Sequence, residues 1–150
     1  MRWSGGETQP GRVCPSTAAF VGYRSVSFTP GATARVVYVV TSADTAVAMR
    51  SGSVDVLSTP RLIALCEEAS CLTIEKSLPE GRTSVGVRVQ FDHLAPVKVG
   101  SEVTAEATLE RVEGKRLVFT VSAIDAAGLV GAGRITRVVV ETETFLGKAR

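Results

Sequence analysis

The segment STPRLIALCEEASCLTIEKSL, residues 58 to 78, constrains the fold more than any other part of the chain. Ser58 or Thr59 can cap a helix here. Pro60 suits its first turn, because the N–H it lacks would have no partner there, and Pro79-Glu80-Gly81 stops it. Apolar residues occupy nearly every side of this helix: Leu62, Ile63, Leu65, Cys66, Ala69, Leu72 and Ile74. A helix that is apolar most of the way round is wrapped by other structure rather than laid on a surface.

The strands that would wrap it can be read from their alternation. TARVVYVVT (33–41) follows Pro30-Gly31 and is rich in β-branched residues. TSADTAVAMRSGSVDV (41–56) is mixed and reads as a loop with a short helical turn. Beyond the helix, TSVGVRVQFDHL (83–94) alternates. SEVTAEATLERVEG (101–114) alternates more cleanly, with Val103, Ala105, Ala107 and Leu109 on one face. Glu113-Gly114-Lys115 turns into RLVFTVSAID (116–125), and Ala126-Ala127-Gly128 turns into LVGAGRITRVVVETETF (129–145). Alternation joined by tight turns argues for an antiparallel sheet. The class is therefore α+β: a hot-dog fold, with an antiparallel sheet wrapped around one long central helix. Such a sheet has an edge strand and an outer surface that a second copy covers, so a homodimer is expected.

At 150 residues the chain holds one domain, and a chain this size buries roughly two-thirds of its unfolded surface. Residues 1–25 stand apart as a Gly-, Ser-, Thr- and Pro-rich segment, read as a poorly ordered N-terminal extension before a domain at 26–150. Three arginines and a single acid there are a weak match to a transit peptide, because Gly5-Gly6 and Pro10 break any amphipathic helix. No apolar run reaches the ~18 residues of a membrane span. A net charge of +2 with scattered basic residues gives no electrostatic case for nucleic acid or membrane as a partner. Cys14, Cys66 and Cys71 form no CxxC or Cys/His pair. A disulfide framework and a zinc site are thus disfavoured, and a reducing, cytoplasmic location is expected.

Residues 28 to 142 resemble the fluoroacetyl-CoA thioesterase branch of the hot-dog superfamily. The densest similarity runs from HLAPVKVG (93–100) through VTAEATLERVEGKRLVFTVSAIDAAGLVGAG. The family pattern there is V-T-V-T-A-E-L-x-x-V-E-G-R-R-L, then V-S-A-x-D and a G-x-G region. The family's catalytic set is a Thr at the helix start, a Glu eight residues later, a glycine on the next strand and a His seven residues after it. On this chain these fall on Thr59, Glu67, Gly86 and His93, with all four residue types and both spacings kept.

The resemblance implies an acyl-CoA thioesterase that hydrolyses a short-chain acyl-CoA to free acid and CoA. It needs no metal or bound cofactor, since coenzyme A enters with the substrate. Thr59, Glu67 and His93 would carry the hydrolysis, and Gly86 would donate to the thioester oxygen. The residue chemistry fits. A helix start offers free N–H groups and a positive dipole end, a carboxylate in an apolar helix has tunable protonation, and histidine is the side chain best suited to move protons near neutral pH. Each residue also has a plainer reading. Thr59 caps the helix, Glu67 or its neighbour Glu68 faces solvent, Gly86 relieves a strand bulge, and His93 ends a strand.

Where the fluoroacetyl-specific enzyme carries two lid phenylalanines, this chain has Arg50 and Ser53. Arg50 is read as substrate-binding, toward the phosphates of coenzyme A, with solvent as the alternative. Two other functions stay open at this point: a hot-dog enoyl-CoA hydratase or dehydratase, and an acyl-CoA-binding protein without turnover.

Overall fold

The computed structural model describes residues 27–150; the N-terminal extension read from the sequence lies outside them. The elements in chain order are β1 (Thr33–Val39), α1 (Thr59–Ile74), β2 (Arg82–His93), β3 (Glu102–Glu113), β4 (Arg116–Asp125), β5 (Gly128–Glu141) and α2 (Thr142–Leu146). Single 3-10 turns occupy Ser42–Asp44 and Glu75–Ser77, the second finishing the long helix. The five strands form one antiparallel sheet in the order β1-β3-β4-β5-β2. β1 and β2 are consecutive in sequence yet lie on opposite edges, because α1 crosses the sheet between them and packs on β1, β2, β3 and β4.

The inward alternation read from the sequence is what buries this face. Val103, Ala105, Ala107 and Leu109 of β3 are all within 1% of full burial. Opposite them lie Leu62, Leu65, Cys66, Ala69 and Ile74 of α1, with Leu117, Phe119, Val121 and Ile135 closing the core. The small residues Ala105 and Ala107 let the helix approach the sheet, and Leu109 and Phe119 fill the flanks. The two predicted turns form as hairpins. Gly114 takes φ 61°, a conformation that favours glycine, and the Asp125 carboxylate accepts the N–H groups of Ala127 (2.9 Å) and Gly128 (3.1 Å).

Two sequence expectations are corrected. The last strand stops at Glu141 rather than running to 145, because apolar alternation ends at Val140 and TETFL turns into a five-residue helix. The long helix is not covered all round within one chain: Leu72 is 42% exposed. The run Gly86–Gln90 of the edge strand β2 is exposed as well, with Val87 at 51%.

Candidate active site

Ser58 is the N-cap of α1. Its hydroxyl accepts the Arg61 N–H at 3.2 Å and donates to Met49 Sδ at 2.9 Å. This resolves the plainer reading of Thr59. Capping falls to Ser58, and the Thr59 hydroxyl lies 2.8 Å from His93 Nδ1. His93 ends β2, and its other ring nitrogen, Nε2, is buried with no hydrogen-bond partner among the described residues. If Nδ1 accepts from Thr59, Nε2 is an unpaired donor; in the other tautomer it is an unpaired acceptor. Either way a buried polar atom costs free energy until a partner arrives.

A second cluster forms two turns along the helix. Glu68 is exposed, whereas Glu67 is half-buried and turned toward β2 and β5. Arg137 of β5 donates to Glu67 Oε1 at 3.2 Å. The Arg137 side chain is only 8% exposed and is pinned by Ser84, whose hydroxyl and carbonyl each accept from it at 2.9 Å. Gly86 is part of the same cluster. A Cβ at that position would sit 2.2 Å from Glu67 Oε1. Gly86 therefore makes room for the Glu67 carboxylate to lie against the strand. The bulge of the plainer reading is also present, as a register shift between Gly86 and Arg88.

The sequence analysis did not single out Arg137 or Ser84. An arginine within RITRVVV looks solvent-facing, but strict alternation puts Arg137 on the same face as Ile135 and Val139, both buried. An arginine at an inward strand position was the available signal.

Within one chain the two clusters do not meet. Thr59 and Glu67 are separated by roughly 12 Å of helix axis at the α-helical rise. Gly86 and His93 are separated by roughly 23 Å of strand. Each cluster holds half of the set drawn from the sequence.

The loop before α1 is fixed by a third group. The buried Asp44 carboxylate accepts from the Thr41 N–H (2.7 Å), the Thr41 hydroxyl (2.8 Å), the Tyr38 hydroxyl (3.0 Å) and Arg61 Nε (3.1 Å). Burial pushes this carboxyl up, but the Thr41 and Tyr38 hydrogen bonds and the Arg61 charge outweigh it and hold it below the usual carboxylate value. The Asp44 carbonyl also accepts the Ser58 N–H at 2.9 Å, so the network anchors the residue next to Thr59. Farther along the loop, Arg50 is exposed and adopts φ 56°. Its N–H bonds to Val47 O, and Ser51 N–H bonds to Ala46 O, which closes a one-turn helix with a left-handed residue. Among the described residues no three His, Cys, Asp or Glu side chains converge as a metal-ligating group.

Residues 40–143, which contain Arg50, Thr59, Glu67, Gly86, His93 and Arg137, match the family described as fluoroacetyl-CoA-specific thioesterase. The chain belongs to this family. A fluoroacetyl-CoA thioesterase from Streptantibioticus cattleyicolor is 34% identical over 96 residues, covering 64% of this chain and 69% of that protein. Among solved structures, the fluoroacetyl-CoA thioesterase FlK superposes with a TM-score of 0.78 at 28% identity, over 81% of this chain and 95% of that one. A hot-dog-like protein from Thermanaerovibrio acidaminovorans superposes with a TM-score of 0.74 at 36% identity, over 81% and 90%. The thioesterase family and its hot-dog fold are thus those expected from the sequence.

Proposed function

We propose that the protein is a homodimeric, cytoplasmic thioesterase that hydrolyses a short-chain acyl-CoA to the free acid and CoA, with Thr59, Glu67 and His93 as its catalytic groups. Family membership makes the chain a thioester hydrolase of the acyl-CoA class. The observation that carries the site is the Thr59–His93 hydrogen bond of 2.8 Å at the N-terminus of α1. A helix start favours the oxyanion that forms when the thioester carbon becomes tetrahedral, and the Thr59 N–H lies there.

Two clusters so far apart need a second copy to become one site. β2 is an edge strand with an exposed central run. Antiparallel pairing of two β2 strands about the middle of that run sets the His93 end of one against the Thr83–Gly86 end of the other. The partner's Glu67 then comes to the Thr59–His93 pair, and the unpartnered Nε2 gains a polar neighbourhood. Glu67 either takes a proton from water, whose oxygen adds to the carbonyl carbon, or adds to that carbon itself and is freed by water. In both routes the sulfur of CoA leaves and is protonated, with His93 and Thr59 passing the proton. Arg137 and Ser84 position Glu67 through the contacts described above. Arg50 is proposed to face the phosphates of CoA, as an exposed cation on the loop that precedes α1. The reading requires no cofactor beyond the CoA of the substrate. Free Cys66 and Cys71 fit a reducing compartment.

Thiol release from a panel of acyl-CoA esters tests this directly. Wild type turns over, and Glu67→Gln and His93→Ala each retain only a small residual rate as folded homodimers. Unfolding and refolding a mixture of the two variants then restores about a quarter of wild-type activity, because half the dimers are mixed and each holds one intact site. No turnover by wild type, or full turnover in both variants, overturns the site. Impaired variants whose mixture stays at the residual rate overturn the shared dimer site.

A further inference from the structure

Thr59 and His93 line an open-sided hollow of about 330 Å³ between the 46–58 loop and the segment following β2. Most of its lining is hydrocarbon, from Ala46, Val54, Val56, Leu57, Leu94 and Pro96. Apart from His93 itself, the polar side chains on its surface are hydroxyls, and among the described residues of the chain no carboxylate, lysine or arginine lines it.

Part of the wall is held by backbone, since Thr45 bridges Leu57 and Val56 bridges Lys98. The rim is the opposite kind of surface. Val54 is 57% exposed and Leu94 59% exposed. Apolar side chains exposed around a preformed apolar hollow beside reactive groups are what an aliphatic ligand covers on entry.

The polar half of the proposed site (Glu67, Arg137 and Ser84) is ill suited to hydrocarbon. On the proposed reading the thioester carbon sits by Thr59, so its two arms part there. The amide-bearing arm of CoA has hydrogen-bonding groups and the acyl arm does not. The apolar hollow therefore fits the acyl arm.

Size then narrows the class. At roughly 30 Å³ for each water-sized group the hollow holds about eleven groups, so a two-carbon acyl group leaves most of it unfilled, whereas one of about four to six carbons together with the sulfur takes up around half. A terminal carboxylate within the hollow would lose its hydration with no cation of the same chain lining it.

We infer that this cavity is the acyl pocket and that it selects uncharged aliphatic acyl groups of about four to six carbons, straight or branched, over acetyl and over dicarboxylic acyl groups. The inference rests on the thioesterase reading above and specifies its substrate. Val54 and Leu94 are the specificity-determining residues at its mouth. Each methylene buried raises kcat/KM about fourfold, so isovaleryl-CoA exceeds acetyl-CoA by well over tenfold.

The test compares kcat/KM for acetyl-, butyryl-, isovaleryl- and succinyl-CoA in the wild type, in Val54→Phe and in Leu94→Phe. Both positions are exposed, so both variants fold. The expected result is a steep rise from acetyl to isovaleryl, poor succinyl turnover, and an isovaleryl-to-acetyl ratio that falls at least tenfold in either variant. A wild type that cleaves acetyl-CoA as well as the longer esters overturns the pocket and leaves the thioesterase reading intact. So does a pair of variants that slow every ester equally. A wild type that cleaves none of the four defeats the thioesterase reading itself.

Discussion

The contact between Gly86 and Glu67 allows a substitution that separates catalysis from folding. In Gly86→Ala the new Cβ would lie 2.2 Å from Glu67 Oε1, whereas ordinary contact begins at 3.4 Å, so the carboxylate must retreat by about 1.2 Å. The clash is with the end of a flexible side chain, and the strand backbone need not move. Gly86 is not among the positive-φ glycines, so alanine suits its backbone. Stability should then be unchanged or raised by up to ~1 kcal/mol through the unfolded chain. Catalysis is far less tolerant, since a misplacement of about 1 Å costs on the order of a hundredfold. We expect kcat to fall about a hundredfold while the urea midpoint holds or rises. The decisive assay is the double-mutant cycle with Glu67→Gln. If alanine acts only by displacing the carboxylate, Gly86→Ala adds little to the loss already caused by Glu67→Gln. Additive losses, or a Gly86→Ala protein with full turnover, would refute the assignment of Gly86 as the residue that makes room for Glu67.

Three further predictions concern the scaffold. Asp44→Ala leaves the Tyr38 hydroxyl and the Arg61 guanidinium without their acceptor and should cost about 2–4 kcal/mol by urea denaturation. The folded pKa of Asp44 is depressed below the ordinary 3.8, so its contribution is complete above that value and is lost as pH falls through the folded pKa. Asp44→Asn should accordingly flatten the acid limb of stability below about pH 4, and an unchanged limb would refute it. Burial pushes the Cys66 thiol up to about 12, so a neutral alkylating reagent at pH 8 should modify Cys71 and spare Cys66 in the folded protein. Mass spectrometry of the peptides checks this, and equal labelling of the two would refute it.

The sequence by itself determined the order of the main helix and the five strands, the α+β class, the inward face of β3 and the family. Each of these follows from local periodicity, turn chemistry and motif spacing. TVSAID and VTAEATLE alternate with period two because one face is buried, and that signal survives without coordinates. Resemblance to the family marked Thr59, Glu67, Gly86 and His93 as a set, and its lid positions marked Arg50. What it left open needed three dimensions. Ser58 rather than Thr59 caps the helix, because only the loop geometry shows whose hydroxyl meets the Arg61 N–H. Glu67 rather than Glu68 turns inward, because the helix phase relative to β2 and β5 is a tertiary quantity. Arg137 reaches Glu67 across a sequence separation of seventy residues, which no local pattern records. The same holds for the division of the set into a Thr59–His93 pair and a Glu67–Gly86–Arg137 cluster. The spacings of eight and seven residues fix distances along one helix and one strand. How those two elements cross, and which ends they bring together, is decided by the packing of α1 on the sheet.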